Sequence, residues 1–491
     1  MEISNLFSHL KLPQVKFNRI NLPKLDLSSI NLSKMPKLKI GSSTAKLPIV
    51  QGGMGVGISL SNLAASVAEA GGIGVIAANS IGMLDPEYYA KNKDANSILL
   101  RREIRRAREK TDGIIGVNIM VAVDDFQDLL DVAIEEKADM VFLGAGLPIK
   151  GIPVERLRAA DVKVVPIVSS GRAASLIFRS WARSYGDIPD GVVVEGPMAG
   201  GHLGFKPEQL DDPDFKLEIL IPDVVEAVKP FMSQFSRNIP VIAAGGIFSG
   251  SDIHKFYRLG ASGVQMGSRF VATEECDADV RFKEAYVACK KEDIGIIKSP
   301  VGMPGRAITG QFLKDAAAGK IKVKCAWKCL KSCDLKVSGY CISLALDNAR
   351  KGILEQGFAF CGSNAYRIKK IVAVKSLLGE LKSQYLLAEK RGIRSLWNEY
   401  EAALDNLFSI KSEHALILRN NLITMRDEYG KNFESKAALL REEYDRLAEK
   451  LVPLKLDYQK AASKANLLKD EISALFERQP VIKRFNRLKA F

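Results

Sequence analysis

Several things are scarce in this chain. Its 491 residues hold four histidines, three tryptophans and 7% aromatic residues. No apolar run reaches the roughly 18–20 residues that a bilayer span needs, which excludes an ordinary transmembrane helix. The first residues, MEISNLFSHLKLPQ, lack a continuous apolar stretch of the kind a secretory signal carries, so a cytoplasmic protein is expected. Cysteine is limited to seven, four of them between Cys325 and Cys341, which is not the pattern of a secreted disulfide scaffold. Acidic side chains are the minority, 57 against 71 basic ones, for a formal charge of +14. The excess gathers in two places: Lys11 to Lys46, and the lysines around the cysteines from Lys320 to Lys336. Such charge favours anionic partners without selecting one. No helix-turn-helix, zinc-finger or RNA-binding signature accompanies it, so specific nucleic-acid recognition is not expected.

What is present has a regular order. Residues 1–37 hold a loose ten-residue rhythm with prolines, read as a basic extended or disordered arm. From about residue 47, short apolar runs alternate with amphipathic stretches. The runs are Pro48–Gln51, Gly74–Ala77, Ile115–Ile119, Met140–Leu143, Val162–Val168, Val192–Val194, Val241–Ala244 and Gly263–Met266. They show little polar alternation, as strands buried on both faces should. Eight strand–helix units over this length predict an α/β fold, a (β/α)8 TIM barrel, with a doubly wound open sheet as the alternative. Residues 38–385 form the expected barrel domain. Residues 386–491 read as an all-helical extension, a hairpin or coiled coil that Gly430 and Pro453 would interrupt. It would serve oligomerisation or a protein partner.

In a barrel the chemistry lies at the C-terminal strand ends. Gly52-Gly53-Met54, Asn118, Ser169-Ser170, Glu195-Gly196, Gly245-Gly246 and Gly267-Ser268 fall there, as does the loop carrying His202. Glycine turns after strands seven and eight would let backbone amides reach a phosphate, helped by helices opening near Ser249–Asp252 and near Ala278-Asp279. The turn after strand one lacks the features of a nucleotide fingerprint and fits better as a floor beneath a flat ring. His202 sits among glycines, a setting that calls for close approach by something large beside an acid–base group.

QGGMGVGISLSNLAASVAEAGGIGVI, VVVEGPMAGGHLGF, IPVIAAGGI and GVQMGSRF, in that order, resemble the nitronate monooxygenase family (2-nitropropane dioxygenases), which also contains the FMN-dependent enoyl-ACP reductases. The resemblance spans roughly residues 37–385. It implies FMN as cofactor and assigns roles residue by residue. Gly53 and Met54 would place backbone against the flavin. Asn118 and Gln265, beside Met266, would hydrogen-bond its polar edge. Gly245, Gly246, Gly267 and Ser268 would hold its phosphate. His202 would be the catalytic residue. Gly200 and Gly201 would keep that loop thin, and Glu195 would bind a flavin hydroxyl or cap the loop. The implied reaction oxidises an alkyl nitronate with O2 to a carbonyl compound and nitrite. The alternatives are an NAD(P)H-dependent enoyl-thioester reductase and a flavin sensor signalling through the C-terminal helices.

KCAWKCLKSCDLKVSGYC departs from the family. It spaces Cys325, Cys329, Cys333 and Cys341 so that three thiols share a helix face and the fourth can return after a turn. An iron–sulfur cluster or zinc is one expectation, redox-active thiols the other. Cys276, Cys289 and Cys361 read as isolated buried thiols.

Overall fold

The computed structural model describes residues 34–321, 339–429, 457, 459–468 and 470. Residues 34–386 form one compact unit, and the described residues from 387 onward belong to another. No described helix is long and apolar enough to cross a membrane.

All eight apolar runs are strands of one parallel sheet: β1 (Ile49–Gln51), β2 (Gly74–Ala77), β3 (Ile115–Met120), β4 (Met140–Gly144), β5 (Lys163–Val168), β6 (Val192–Glu195), β7 (Val241–Ala244) and β8 (Gly263–Met266). Each pairs in parallel with the next from β2 to β8, and β8 pairs with β1. Between β1 and β2 the seam closes through Ile73, whose N–H reaches Ile49 O and whose carbonyl accepts Gln51 N–H, both at 2.9 Å. The sheet is therefore a barrel, and the open-sheet alternative is set aside. Each strand is buried on both faces because helices cover the outside and side chains fill the inside.

The helical layer consists of α1 (Ser61–Glu69), α2 (Ala95–Arg108), α3 (Phe126–Glu135), α4 (Val154–Ala159), α5 (Gly171–Tyr185), α6 (Leu217–Phe235), α7 (Gly250–Arg258) and the one-turn α8 (Ser268–Val271). Local sequence sets several ends. Ser170 caps α5 by accepting Ala173 N–H at 3.2 Å, and Gly186 stops it at φ +60°, a conformation that costs glycine little. The first helix has no side-chain cap of its own. Asp277, from beyond β8, accepts its Leu60 and Leu63 amides at 2.8 and 3.2 Å, which ties the first unit of the barrel to the last.

Inside the barrel, Val50, Ile73, Val75, Met140, Phe142, Val165, Val193 and Ile242 pack with Leu38, Ile40 and Ala45 of an antiparallel hairpin, Leu38–Ile40 with Ser43–Ala45. Leu38 lies against Gly263 and Ile40 near Gly191, at the starts of β8 and β6, so the hairpin plugs the N-terminal end of the barrel. The C-terminal end stays open. A small antiparallel sheet stands there, formed by Ile294–Lys298, Pro304–Ile308 and the two-residue strand Gly201–His202. Helix Val374–Tyr429 begins by burying Val374, Leu377, Leu378, Leu381 and Tyr385. The breaks expected at Gly430 and Pro453 both lie outside the described residues.

Candidate active site

The strand ends converge on one cavity of about 310 Å³. Gly53, Met54, Asn118, Glu195, Gly201, His202, Gly245, Gly246, Gln265, Met266, Gly267 and Ser268 all line it. Residues more than two hundred positions apart thus share one mouth, because parallel strands carry their C-terminal ends to the same side.

The glycines have separate reasons. A Cβ on Gly53 would sit 2.3 Å from Asn118 Cβ, and one on Gly52 3.2 Å from the Gln265 side chain. These two make room first for protein amides, where the sequence suggested a floor for a ring. Gly200 lies under the backbone of Cys361 and Gly362, 2.4 Å from where its Cβ would be; its thinness is a packing requirement. Gly245 has φ +91°, and a Cβ there would meet Gly196 O at 2.9 Å. Among the described residues the amides of Gly245, Gly246 and Gly267 have no protein acceptor. Unpaired backbone donors at a cavity wall are what an anionic oxygen requires.

Helix termini contribute less than expected. The amides at the start of α7 are occupied: Phe248 and Ser249 donate to Asp252 at 3.0 and 2.8 Å, and Gly250 donates to Gln384 at 2.8 Å. The helix near Ala278-Asp279 exists (Val280–Ala288), but its Asp279 cap binds Arg281. The helix that follows the β8 turn opens instead at Ser268.

His202 is held from two sides. Its Nε2 lies 2.7 Å from Ser299 Oγ, and its ring meets Phe360 edge-on with centroids 5.0 Å apart. Pairing of Gly201–His202 with Gly305 and Arg306 fixes the backbone. Arg306 is buried and donates to the carbonyls of Pro197 and Ala199, stiffening the glycine loop from beneath. Burial pushes the imidazole down to about 4, so it is neutral at ordinary pH. Burial pushes the Glu195 carboxyl up to about 7. The site thus holds a neutral base beside a carboxyl poised between its two forms.

Sequence reasoning missed a strap across the mouth, residues 358–364. Asn364 Nδ2 donates to Gly246 O at 2.6 Å, Gly362 N–H to Ser268 Oγ at 2.9 Å, and Ser363 N–H to Met198 O at 3.1 Å. It also missed Ser299 and Asn79. Asn79 Oδ1 accepts Met120 N–H at 3.0 Å, while its Nδ2, on the cavity lining, is buried with no partner. No local pattern announces these residues. Only the Asn in Ala77-Ala78-Asn79, at the end of an apolar run, gave a hint.

Residues 37–384 match the family profile described as nitronate monooxygenase. The chain belongs to the nitronate monooxygenase family. A probable nitronate monooxygenase of Staphylococcus saprophyticus is 28% identical over 310 residues, 56% of this chain and 78% of that protein. A carboxyl-CoA dehydrogenase of Rhodococcus jostii, named for a methyl-oxo-octahydroindene substrate, is 29% identical over 261 residues; the match spans 53% of this chain and 62% of that protein's length. Among solved structures, FabK from Thermotoga maritima is 30% identical, with TM-score 0.55 over 71% of this chain and 96% of that one. A nitroalkane oxidase from Streptomyces ansochromogenes shares the fold at 23% identity, with TM-score 0.54 over 71% and 98% of the two chains.

The family is one of FMN-dependent oxidoreductases, and the residues here fit that cofactor. Three acceptor-less amides suit a phosphate, and the orphaned Asn79 Nδ2 suits a carbonyl or ring nitrogen. A metal finds no such support. Cys325, Cys329 and Cys333 lie outside the described residues, and Cys341 immediately precedes helix Ile342–Arg350. Among the described residues no three His, Cys, Asp or Glu side chains are placed to hold an ion, and the iron–sulfur or zinc expectation falls on cysteines that lie mostly outside the described residues. Cys276, Cys289 and Cys361 are buried thiols, and burial pushes them up to about 12, 11 and 12.

Proposed function

We propose that this protein is an FMN-dependent nitronate monooxygenase: two alkyl nitronates and one O2 give two carbonyl compounds and two nitrites. The observation that carries the reading is His202, a neutral imidazole fixed by Ser299 on the wall of a glycine-framed cavity in this family. Gly245, Gly246, Gly267 and Ser268 would hold the phosphate of FMN. Asn79, Asn118 and Gln265 would meet polar atoms of the ring and its side chain, with Gly53, Met54 and Met266 as backbone beside them. Glu195 and Gly201 would border the ring. When bound, FMN supplies the redox chemistry and the reaction with O2.

The protein's own part is to bind and orient. A nitronate is already the carbanionic form of a nitroalkane, so no strong base is needed. With Nε2 engaged by Ser299, the neutral ring can present its other nitrogen as an N–H donor to an anionic nitronate oxygen. Beyond residue 386 the helices would serve an oligomer or a protein partner.

A second reading rests on a specific feature. The cavity lining also includes Ile58, Val123, Ile342 and Leu346, apolar side chains that a small nitronate does not require. An acyl chain would use them, which favours an enoyl-thioester reductase supplied by NAD(P)H. The test is anaerobic titration of the FMN-loaded protein, following flavin absorbance, with propyl nitronate and NADH added separately. Bleaching by nitronate alone, about 100-fold slower or more in His202→Ala, is the expected result. Bleaching by NADH alone would replace the first reading with the second.

A further inference from the structure

A second recess lies on the outside of the barrel, beside α1. Its floor is apolar: Met35, Leu47, Ala65, Ala70 and Leu378. Its rim carries Lys34, Lys37, Lys46, Lys110, Lys375 and Lys382. Leu47 donates to Gly71 O at 2.8 Å, just past the end of α1 and just before β1, which sets one edge of the recess at the plugged end.

Two carboxylates reach it, and both are engaged. Glu69 accepts the Thr111 hydroxyl at 2.9 Å, and Glu275 accepts Val374 N–H at 2.9 Å. Lys110 bonds the Asn62 amide oxygen. Among the described residues, Lys34, Lys37, Lys46, Lys375 and Lys382 have no ion-pair partner. Some cations elsewhere on the same unit are matched, such as Arg101 and Arg105 with Glu136, Arg158 with Asp187 and Asp190, and Lys255 with Glu218, but here five unpaired lysines surround one recess. Unmatched like charges repel one another, so gathering them around an apolar floor is unfavourable until an anion with an apolar part arrives.

We propose that this recess docks the protein on an anionic lipid surface, its lysines on lipid phosphates and its floor against the upper acyl region. Two observations favour lipid over an acidic protein. The lining contains neither arginine nor an aromatic residue, the types that protein interfaces enrich, whereas lysine is the type they deplete. Clusters of four to eight basic residues beside apolar surface are instead the pattern that anionic leaflets attract. The chain up to this point is basic as a sequence: residues 1–46 contain Lys11, Lys16, Arg19, Lys24, Lys34, Lys37, Lys39 and Lys46 against only Glu2 and Asp26.

The test is co-sedimentation of the full chain with phosphatidylcholine vesicles, with and without phosphatidylglycerol. Binding only to the anionic vesicles, falling as salt rises from about 50 to 300 mM, is expected. Lys37→Glu/Lys46→Glu/Lys375→Glu/Lys382→Glu leaves residues 1–34 intact and should weaken binding about 100-fold or more, with thermal unfolding unchanged. No sedimentation with anionic vesicles would overturn the proposal. Undiminished binding by the variant would overturn it too, by moving the contact elsewhere. Capture by soluble polyglutamate without vesicle binding would replace lipid by an acidic protein. None of these outcomes depends on the reaction catalysed at His202.

Discussion

The two ends of the barrel solve opposite problems with the same eight strands. At the plugged end the buried polar groups are matched. Asp190 accepts Val164 N–H at 2.8 Å and pairs with Arg158, which also holds Asp187. Leu38 and Ile40, fully buried, fill the remaining space. At the open end the polar groups are left wanting. Among the described residues three glycine amides and Asn79 Nδ2 have no protein partner, and burial displaces Glu195 and His202 in opposite directions. Unsatisfied polar groups reduce stability, so concentrating them at one end separates the part that holds the fold from the part that acts.

The comparison can be broken most forcefully at Gly245. Valine there adds a Cβ at φ +91° against Gly196 O and distorts the turn whose amides lack partners. FMN affinity, measured by flavin fluorescence quenching, should fall about 100-fold or more. Unchanged affinity would remove the phosphate role from this turn. The reverse experiment is Ile40→Ala at the plugged end. It should cost about 2–5 kcal/mol in denaturant unfolding and leave FMN affinity of the folded protein unaltered. A change in affinity would show that the two ends are coupled. Ser299→Ala is the finest probe. Loss of one hydrogen bond to His202 should lower kcat/KM about 10-fold with FMN retained, and Ser299→Thr should restore most of it.

The barrel was legible because its signals are local. Val192-Val193-Val194 and Val241–Ala244 are short apolar runs with a glycine within two residues of their ends, and each proved to be a strand that opens on the cavity. His202 stood out for the same reason, a lone imidazole among glycines. What holds His202 was not legible. Ser299 lies in an ordinary Lys-Ser-Pro stretch, and Asn364 in a loop; both matter only through contacts 97 and 118 residues away in sequence. The purpose of the glycines was legible only in part. Gly200 looked like space for a ligand and is space for the backbone of Cys361. The start of α8 at Ser268 escaped notice because one helical turn has no apolar periodicity to read.

The strap across the mouth also sets an order of events during synthesis. β8, the last barrel strand, ends at Met266, but the strap that ties the loops after β6, β7 and β8 together arrives with Gly362, Ser363 and Asn364. Roughly 100 residues separate the two, or about 5–20 s of translation. A nascent chain would therefore hold all eight strands for several seconds before the last wall of its active site leaves the ribosome.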